Sequence, residues 1–327
     1  MANFYKHKMI IVTGGAGFIG SHLVEMLVEQ GAFVRVVGTQ PPSQLKFLQD
    51  VKASIDYHQV DLLSPLDSYQ SLFKNQTLVF HLAARVAGIE YNRHHPATML
   101  RDNSQMALNV FEAARIAKVD RIQFVSSACV YPRYCTIPTP ESEGFLDEPE
   151  PTNYGYGWAK RFGELVAKTY AQEFKLGVSI VRPYNCYGPR DDFNPATSHV
   201  IPALIRRVLS KEDPIVVWGD GTATRSFLYV EDFARGLTEA MEHYPQPDAV
   251  NIGTNEEVTI KELIELIVKI SGVKSNIEFD STKPNGQPRR NCNTAKAINK
   301  IGFKAKVDLA TGLKNTIEWY QQYGQKN

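Results

Sequence analysis

Two rhythms alternate along the first part of the chain. Short β-branched runs at 8–12, 33–37, 55–60, 78–82 and 121–125 alternate with longer segments. In some of those segments apolar residues return every three or four positions. One, 21–30, sets Leu23, Val24, Leu27 and Val28 on a single helical face and stops at Gly31, a residue suited to a helix C-terminus. Another, 99–118, reads as a long amphipathic helix. This alternation predicts an α/β fold built on a doubly wound parallel sheet. In such sheets ligands bind beyond the carboxyl ends of the strands. The residues that follow each β-rich run therefore carry the most information.

The first run leads at once into Thr13-Gly14-Gly15-Ala16-Gly17-Phe18-Ile19-Gly20 and then into the first helical segment. Strand, glycine turn and helix in that order form a Rossmann-type dinucleotide site. Glycines let the backbone approach a pyrophosphate, and the helix N-terminus faces its charge. Gly14, Gly17, Phe18, Ile19 and Gly20 are the candidate contacts. The second run ends in Gly38-Thr39-Gln40, where a ribose-binding acid would stand for NAD. The nearest bases, Arg35 and Lys46, do not follow that strand end as a 2′-phosphate clamp would. The preference between NAD and NADP stays open. After the third run, Asp61 and Leu62 are candidates for the adenine side; a helix cap ahead of Ser64-Pro65 explains Asp61 equally well. After the fourth come Ala83 and Ala84, small enough for a cofactor to lie close.

The fifth run breaks into Ser126-Ser127-Ala128-Cys129-Val130-Tyr131-Pro132. Further on, Tyr156 and Lys160 stand four residues apart, so a helix turns both to one face. An ammonium beside a phenol lowers the phenol's pKa, and Tyr156 becomes an acid/base candidate. Ser127 offers a hydrogen bond to the same substrate oxygen, and Cys129 a second titratable group. Tyr-x-x-x-Lys alone is common by chance. The glycine turn ahead of it supplies its weight.

Composition narrows the rest. At 327 residues the chain makes one large domain or two coupled lobes. A net charge of +1 argues against a general nucleic-acid binder. No apolar run approaches the roughly 18 residues of a membrane span, and the first residues are too polar for a signal peptide. Cys129, Cys135, Cys186 and Cys292 lack metal-site spacing, so no metal is expected and they read as reduced thiols of a cytoplasmic protein.

Taken together, the glycine turn, Ser127 and Tyr156-x-x-x-Lys160 resemble the extended short-chain dehydrogenase/reductases, which act on nucleotide sugars. The likeness runs from about residue 9 to 320. It implies that Tyr156 is the acid/base, that Lys160 orients the nicotinamide ribose and tunes Tyr156, and that Ser127 binds the reacting oxygen. Within that group, a Cys in Ser-x-Cys129-Val-Tyr-Pro is similar to the GDP-L-fucose synthases and GDP-mannose 3,5-epimerases. Segments 81–89, 150–153, 185–189 and 198–207 resemble the former, the last carrying that family's catalytic His at His199. The resemblance implies a Cys129/His199 epimerisation pair, Arg207, Arg225 and Lys283 on the nucleotide diphosphate, Trp218 by the base, and Asn185 in the substrate loop. Arg206, Arg289 and Arg290 stay undecided. Ala16 departs from the fucose synthase pattern, which has an Arg inside the turn.

The expected organisation is a dinucleotide-binding domain over 1–185, to which 226–253 returns, and a smaller nucleotide-sugar-binding α/β lobe over 186–225 and 254–327. Helical periods at 201–209, 227–242, 258–271 and 306–322 and a strand at 215–218 fill that part of the chain. The long helices 99–118 and 156–174 resemble a family dimer interface, which implies a homodimer. The leading expectation is an NAD(P)-dependent reductase-epimerase of a GDP-4-keto-6-deoxy-hexose. A redox-neutral nucleotide-sugar epimerase and a non-catalytic nucleotide sensor are the alternatives.

Overall fold

A computed structural model describes residues 3–283 and 287–324. Its centre is a seven-stranded sheet: β1 Met9–Thr13, β2 Phe33–Gly38, β3 Ile55–Gln59, β4 Leu78–His81, β5 Arg121–Val125, β6 Gly177–Pro183 and β7 Val250–Ile252. Every pairing in it is parallel, and the order across the sheet is β7-β6-β5-β4-β1-β2-β3. The winding reverses between β1 and β4, which opens a crevice at their carboxyl ends. There Thr13 is in register with both Val37 and His81.

Strands covered on both faces must be apolar on both, as Ile10, Ile11 and Val12 are. On one face the Phe18–Glu29 and Val230–His243 helices bring Leu23, Val24 and Leu27 against Phe233, Leu237 and Met241. Each such buried side chain contributes about 1.5–3 kcal/mol relative to exposure. On the other, the Pro96–Ile116 and Tyr154–Phe174 helices bury Val110, Phe111, Val166 and Ala167 against the sheet. Gly31, at φ +77°, follows the first helix as its sequence position predicts.

A second core joins the Val200–Leu209, Ile260–Ser271 and Leu309–Tyr323 helices through Ile205, Leu263, Ile267, Leu313 and Ile317. Thr259 and Glu262 form a reciprocal cap that starts the middle helix. The last helix begins later than its periodicity suggests, because the Asp308 side chain accepts the Thr311 N–H and sets the N-terminus there. Three small sheets complete this region, one of them the parallel pairing of Cys186–Tyr187 with Leu228–Tyr229. Ile215–Trp218 pairs with Ile277–Asp280, and Thr224–Ser226 lies between Glu257–Thr259 and Arg289–Arg290. One segment departs from the expected partition. The Ala295–Ile301 helix, grouped by sequence with the second lobe, buries Ala297 and Ile301 together with Phe303 in the main-sheet core beside Phe233 and Ile252.

Candidate active site

The glycine turn closes the carboxyl end of β1. Gly14 holds φ +72°, and its N–H donates to the Val37 carbonyl at 2.8 Å. Gly17 stands at the N-cap of the next helix, and no side chain caps it. A Cβ added to Gly20 would sit 2.2 Å from the Gly14 carbonyl oxygen, so the helix reaches the turn only with hydrogen there. Phe18 and Ile19 are half-buried in that first turn. The result is a backbone-lined cradle at a positive helix end, which suits a pyrophosphate. Thr13 ties the cradle to β4: its hydroxyl lies 2.8 Å from His81 Nδ1 and accepts the Ala83 N–H at 3.3 Å.

Asp61 turns its Oδ1 to the Leu63 N–H at 2.9 Å, so it closes a local turn while remaining exposed. Leu62 is buried, and its carbonyl accepts from Asn109 at 2.7 Å. Beyond β2, Gly38 offers no carboxylate, and Arg35 is committed to Asp56 at 2.7 Å and to the Leu72 carbonyl at 2.6 Å. Neither ribose form meets a dedicated charged partner in that stretch. We expect kcat/KM for NADH and NADPH to agree within about tenfold, or ~1.4 kcal/mol, in paired steady-state assays. A hundredfold preference would show that another charged group reads the ribose.

Ser127 begins a single 3₁₀ turn, Ala128–Val130, and its hydroxyl accepts the Cys129 N–H at 3.1 Å. The same hydroxyl is close enough to the Tyr156 phenol to draw its pKa down. Lys160, 4% exposed, donates from Nζ to the Val125 carbonyl at 2.8 Å and lies 5.5 Å from the centre of the Tyr156 ring. The structure thus brings Ser127, Tyr156 and Lys160 together. It reverses one electrostatic expectation. Burial pushes the Tyr156 phenol above its ordinary pKa, with a further push from Cys129 and only a partial pull down from Ser127. Burial also lowers Lys160 to about 8, against the pull of Cys129 and Glu164. Desolvation is the largest influence on the phenol, so Tyr156 enters the site as a protonated acid.

Cys129 is half-buried and opens onto a cleft lined also by Cys135, Glu150, Asn153, Tyr184 and Arg290. All four cysteines are free. The helix carrying Tyr156 abuts this turn, since a Cβ on Gly157 would stand 2.5 Å from the Cys129 carbonyl oxygen. His199 is the N-cap of the Val200–Leu209 helix. The residue is exposed, yet desolvation of the imidazole lowers its pKa. Asp192 opposes that shift, and Arg290 adds to it. Arg290 therefore borders the Cys129 cleft and acts on His199 as well.

The remaining candidates are more dispersed. Arg225 pairs in register with Arg290 and makes no salt bridge among the described residues; burial and then Arg290 lower its pKa to about 10. Trp218 is 68% exposed, and the Lys283 ammonium lies 6.0 Å from its ring centre. Arg207 is held by Glu212, with Nε to Oε2 at 2.8 Å and a second contact from Nη2. Asn185, at φ +37°, donates its side-chain amide to the Ser226 carbonyl at 2.8 Å. Arg289 is tied to Glu257 at 2.8 Å.

Sequence reasoning passed over His81, Ser126, Glu164 and Arg182. His81 is buried, and burial lowers its imidazole to about 3, so it stays neutral beside Thr13. Glu164 had a usable signal, since it extends the Tyr156–Lys160 spacing by another four residues. Among the described residues no helix is long and apolar enough to cross a membrane.

Residues 10–253 match the family model described as the NAD dependent epimerase/dehydratase family. The chain is 36% identical to probable GDP-L-fucose synthase 1 of Oryza sativa subsp. japonica, over 96% of this chain and 92% of that one. It is 32% identical to GDP-L-fucose synthase of Escherichia coli (strain K12), over 96% of both. Among solved structures, UDP-glucose 4-epimerase of Thermotoga maritima with UDP-glucose aligns at a TM-score of 0.86 and 29% identity, covering 96% of this chain and 98% of that one. With the cradle and the Ser127, Tyr156 and Lys160 cluster already in place, these matches assign the chain to the NAD-dependent epimerase/dehydratase family, as an NAD(P)-dependent enzyme.

Proposed function

We propose that the chain inverts C3 and C5 of a GDP-4-keto-6-deoxy-hexose and then reduces C4, the reaction class named by its GDP-L-fucose synthase relatives. One observation carries this reading. Arg290 borders the Cys129 cleft and acts electrostatically on His199, with Ser127, Tyr156 and Lys160 next to Cys129.

A ketone at C4 acidifies the hydrogens on C3 and C5. Inversion removes a proton from one face of the ring and returns one to the other, which calls for two proton-carrying groups, one on each face. Cys129 and His199 are that pair. The lowered pKa of His199 keeps its imidazole neutral and ready to accept a proton. Ser127 and Tyr156 hold the C4 oxygen as negative charge builds on it. When bound, the nicotinamide supplies hydride chemistry at C4. Tyr156 supplies the proton to the C4 oxygen, and Lys160 keeps positive charge behind the phenol. The Gly14–Gly20 cradle holds the cofactor's pyrophosphate, with Asp61, Leu62 and Ala83 along its path. Arg225 and Lys283 take the substrate diphosphate, Trp218 the base, and Asn185 the sugar side. Arg207 joins them by sharing its guanidinium with Glu212.

The test offers GDP-4-keto-6-deoxy-mannose and NADPH in deuterated water. Loss of nicotinamide absorbance with deuterium at C3 and C5 is expected. A redox-neutral epimerase is the second reading, favoured by Ala16 in the glycine turn. It would be preferred if GDP-mannose took up deuterium with no net cofactor oxidation. Turnover of no nucleotide sugar would leave a nucleotide sensor.

The Pro96–Ile116 and Tyr154–Phe174 helices leave Leu100, Leu108 and Leu165 exposed, which supports a homodimer across that face. Sedimentation equilibrium is expected to give twice the chain mass, and Leu165→Glu to return it to the single-chain value. The free cysteines support a reducing, cytoplasmic setting, which cell fractionation checks.

A further inference from the structure

One buried ion pair lies under the site without a part in the reaction above. Glu164 is fully buried and Arg182 is 2% exposed. Arg182 grips the carboxylate with two donors, Nη2 to Oε2 at 2.7 Å and Nε to Oε1 at 2.8 Å. The Ser126 hydroxyl donates to the same Oε1 at 2.6 Å. Arg182 Nη1 donates to the Tyr131 hydroxyl at 2.9 Å and to the Glu141 carbonyl at 2.8 Å. Tyr131 in turn donates to Asn251 Oδ1 at 2.5 Å.

Such a pair is a poor source of stability, because apolar residues of the same volume often serve as well or better. Its location is more informative. Glu164 lies one helical turn past Lys160 and two past Tyr156, on the same stripe of the Tyr154–Phe174 helix. Ser126 precedes Ser127, and Tyr131 ends the turn that carries Cys129. The pair therefore joins the helix bearing Tyr156 and Lys160 to the turn bearing Ser127 and Cys129.

We propose that Glu164 and Arg182 are positioning residues that fix these two elements against each other, with Glu164 supplying the negative charge that keeps Lys160 an ammonium in its buried seat. Neither touches substrate, and the role rests on Tyr156 and Lys160 being the reacting pair. Lys160 faces the Tyr156 ring and Glu164 on its own helix, Cys129 in the turn, the Val125 carbonyl on β5 and neutral His81 on β4. Glu164 is the carboxylate in that set. Burial lowers Lys160 to about 8, and Glu164 opposes the fall.

Two variants test the proposal. Glu164→Gln keeps the shape and removes the charge. Glu164→Gln with Arg182→Met removes both charges and leaves no buried ion alone, so it guards against loss of the fold. Lys160 is followed by NMR in protein labelled at lysine ¹³Cε, its signal assigned by its absence in Lys160→Arg. The Lys160 midpoint is expected to fall by about one pH unit in Glu164→Gln. It should fall by less in the double variant, where the opposing Arg182 charge is gone too. The alkaline limb of kcat should move down with it while KM holds. An unchanged Lys160 midpoint and an unchanged kcat profile in folded Glu164→Gln would overturn the proposal and leave the pair to packing, as would a fall in the double variant as large as in Glu164→Gln. The NMR measurement needs no substrate, so wild-type protein inert toward nucleotide sugars would count against the proposed reaction alone.

Discussion

Tyr156→Phe is expected to slow reduction of the 4-keto sugar by about 10²–10⁴-fold, the usual contribution of a placed general acid. The ring stays in its seat and only the hydroxyl is lost, so KM should change little. Under the proposed reaction Ser127 would remain beside the C4 oxygen in this variant, but its hydroxyl already accepts the Cys129 N–H. The argument rests on the direction of the Tyr156 shift. Burial raises its pKa, so the phenol is protonated throughout the neutral range and can donate. Lys160 sets the alkaline limit in another way, since its positive charge favours the phenolate left once the proton is given. Its pKa is lowered to about 8, so the ammonium is present below that pH and lost above it. The wild-type kcat should therefore be level below about 8 and decline above it. Stopped-flow nicotinamide absorbance across pH, with circular dichroism to confirm the fold, checks both parts. Reduction within threefold of wild type in Tyr156→Phe would assign the acid elsewhere.

Cys129→Ser carries the second large effect. Its epimerisation rate, read as deuterium entry at C3 and C5, should fall by about 10²–10⁴-fold. A serine hydroxyl keeps the size but cannot hold and release a proton near neutrality. Hydride transfer to a ketone already in the epimerised form should be largely spared, since Ser127, Tyr156 and Lys160 all remain in place. His199→Gln should show the same split. The lowered pKa of His199 also sets the sign of the pH response. The imidazole remains a neutral base further into acid than a free histidine, so epimerisation should persist below the ordinary histidine range. Unchanged deuterium entry in Cys129→Ser would reduce the thiol to a packing role.

Parts of this site are legible in the chain because they are local. The Thr13–Gly20 turn lies within one strand–turn–helix unit, and its glycines answer to contacts among neighbours, as the 2.2 Å approach to the Gly14 carbonyl illustrates at Gly20. Tyr156 and Lys160 share a helical face by spacing alone. The runs behind β1, β2, β4 and β5 are legible for the same reason, since apolar density within a few residues marks a largely buried strand, whereas the edge strand β3 has no buried residue. Other features were out of reach. Arg207 looks like a free cation in sequence, and a salt bridge to Glu212 occupies it in the fold. Ala297 and Ile301 sit in a stretch that reads as second lobe and pack on the main sheet.

The sequence by itself determined the α/β class, the glycine turn and the shared helical face of Tyr156 and Lys160, all of which depend on residue type and short-range spacing. Only the tertiary structure decided the protonation states and the neighbours. Desolvation is a property of everything packed around a group, and it turned the expected lowering of Tyr156 into a rise. The register of Arg290 with Arg225 and the buried grip of Arg182 on Glu164 join residues from separate elements, so they exist only once the chain has folded.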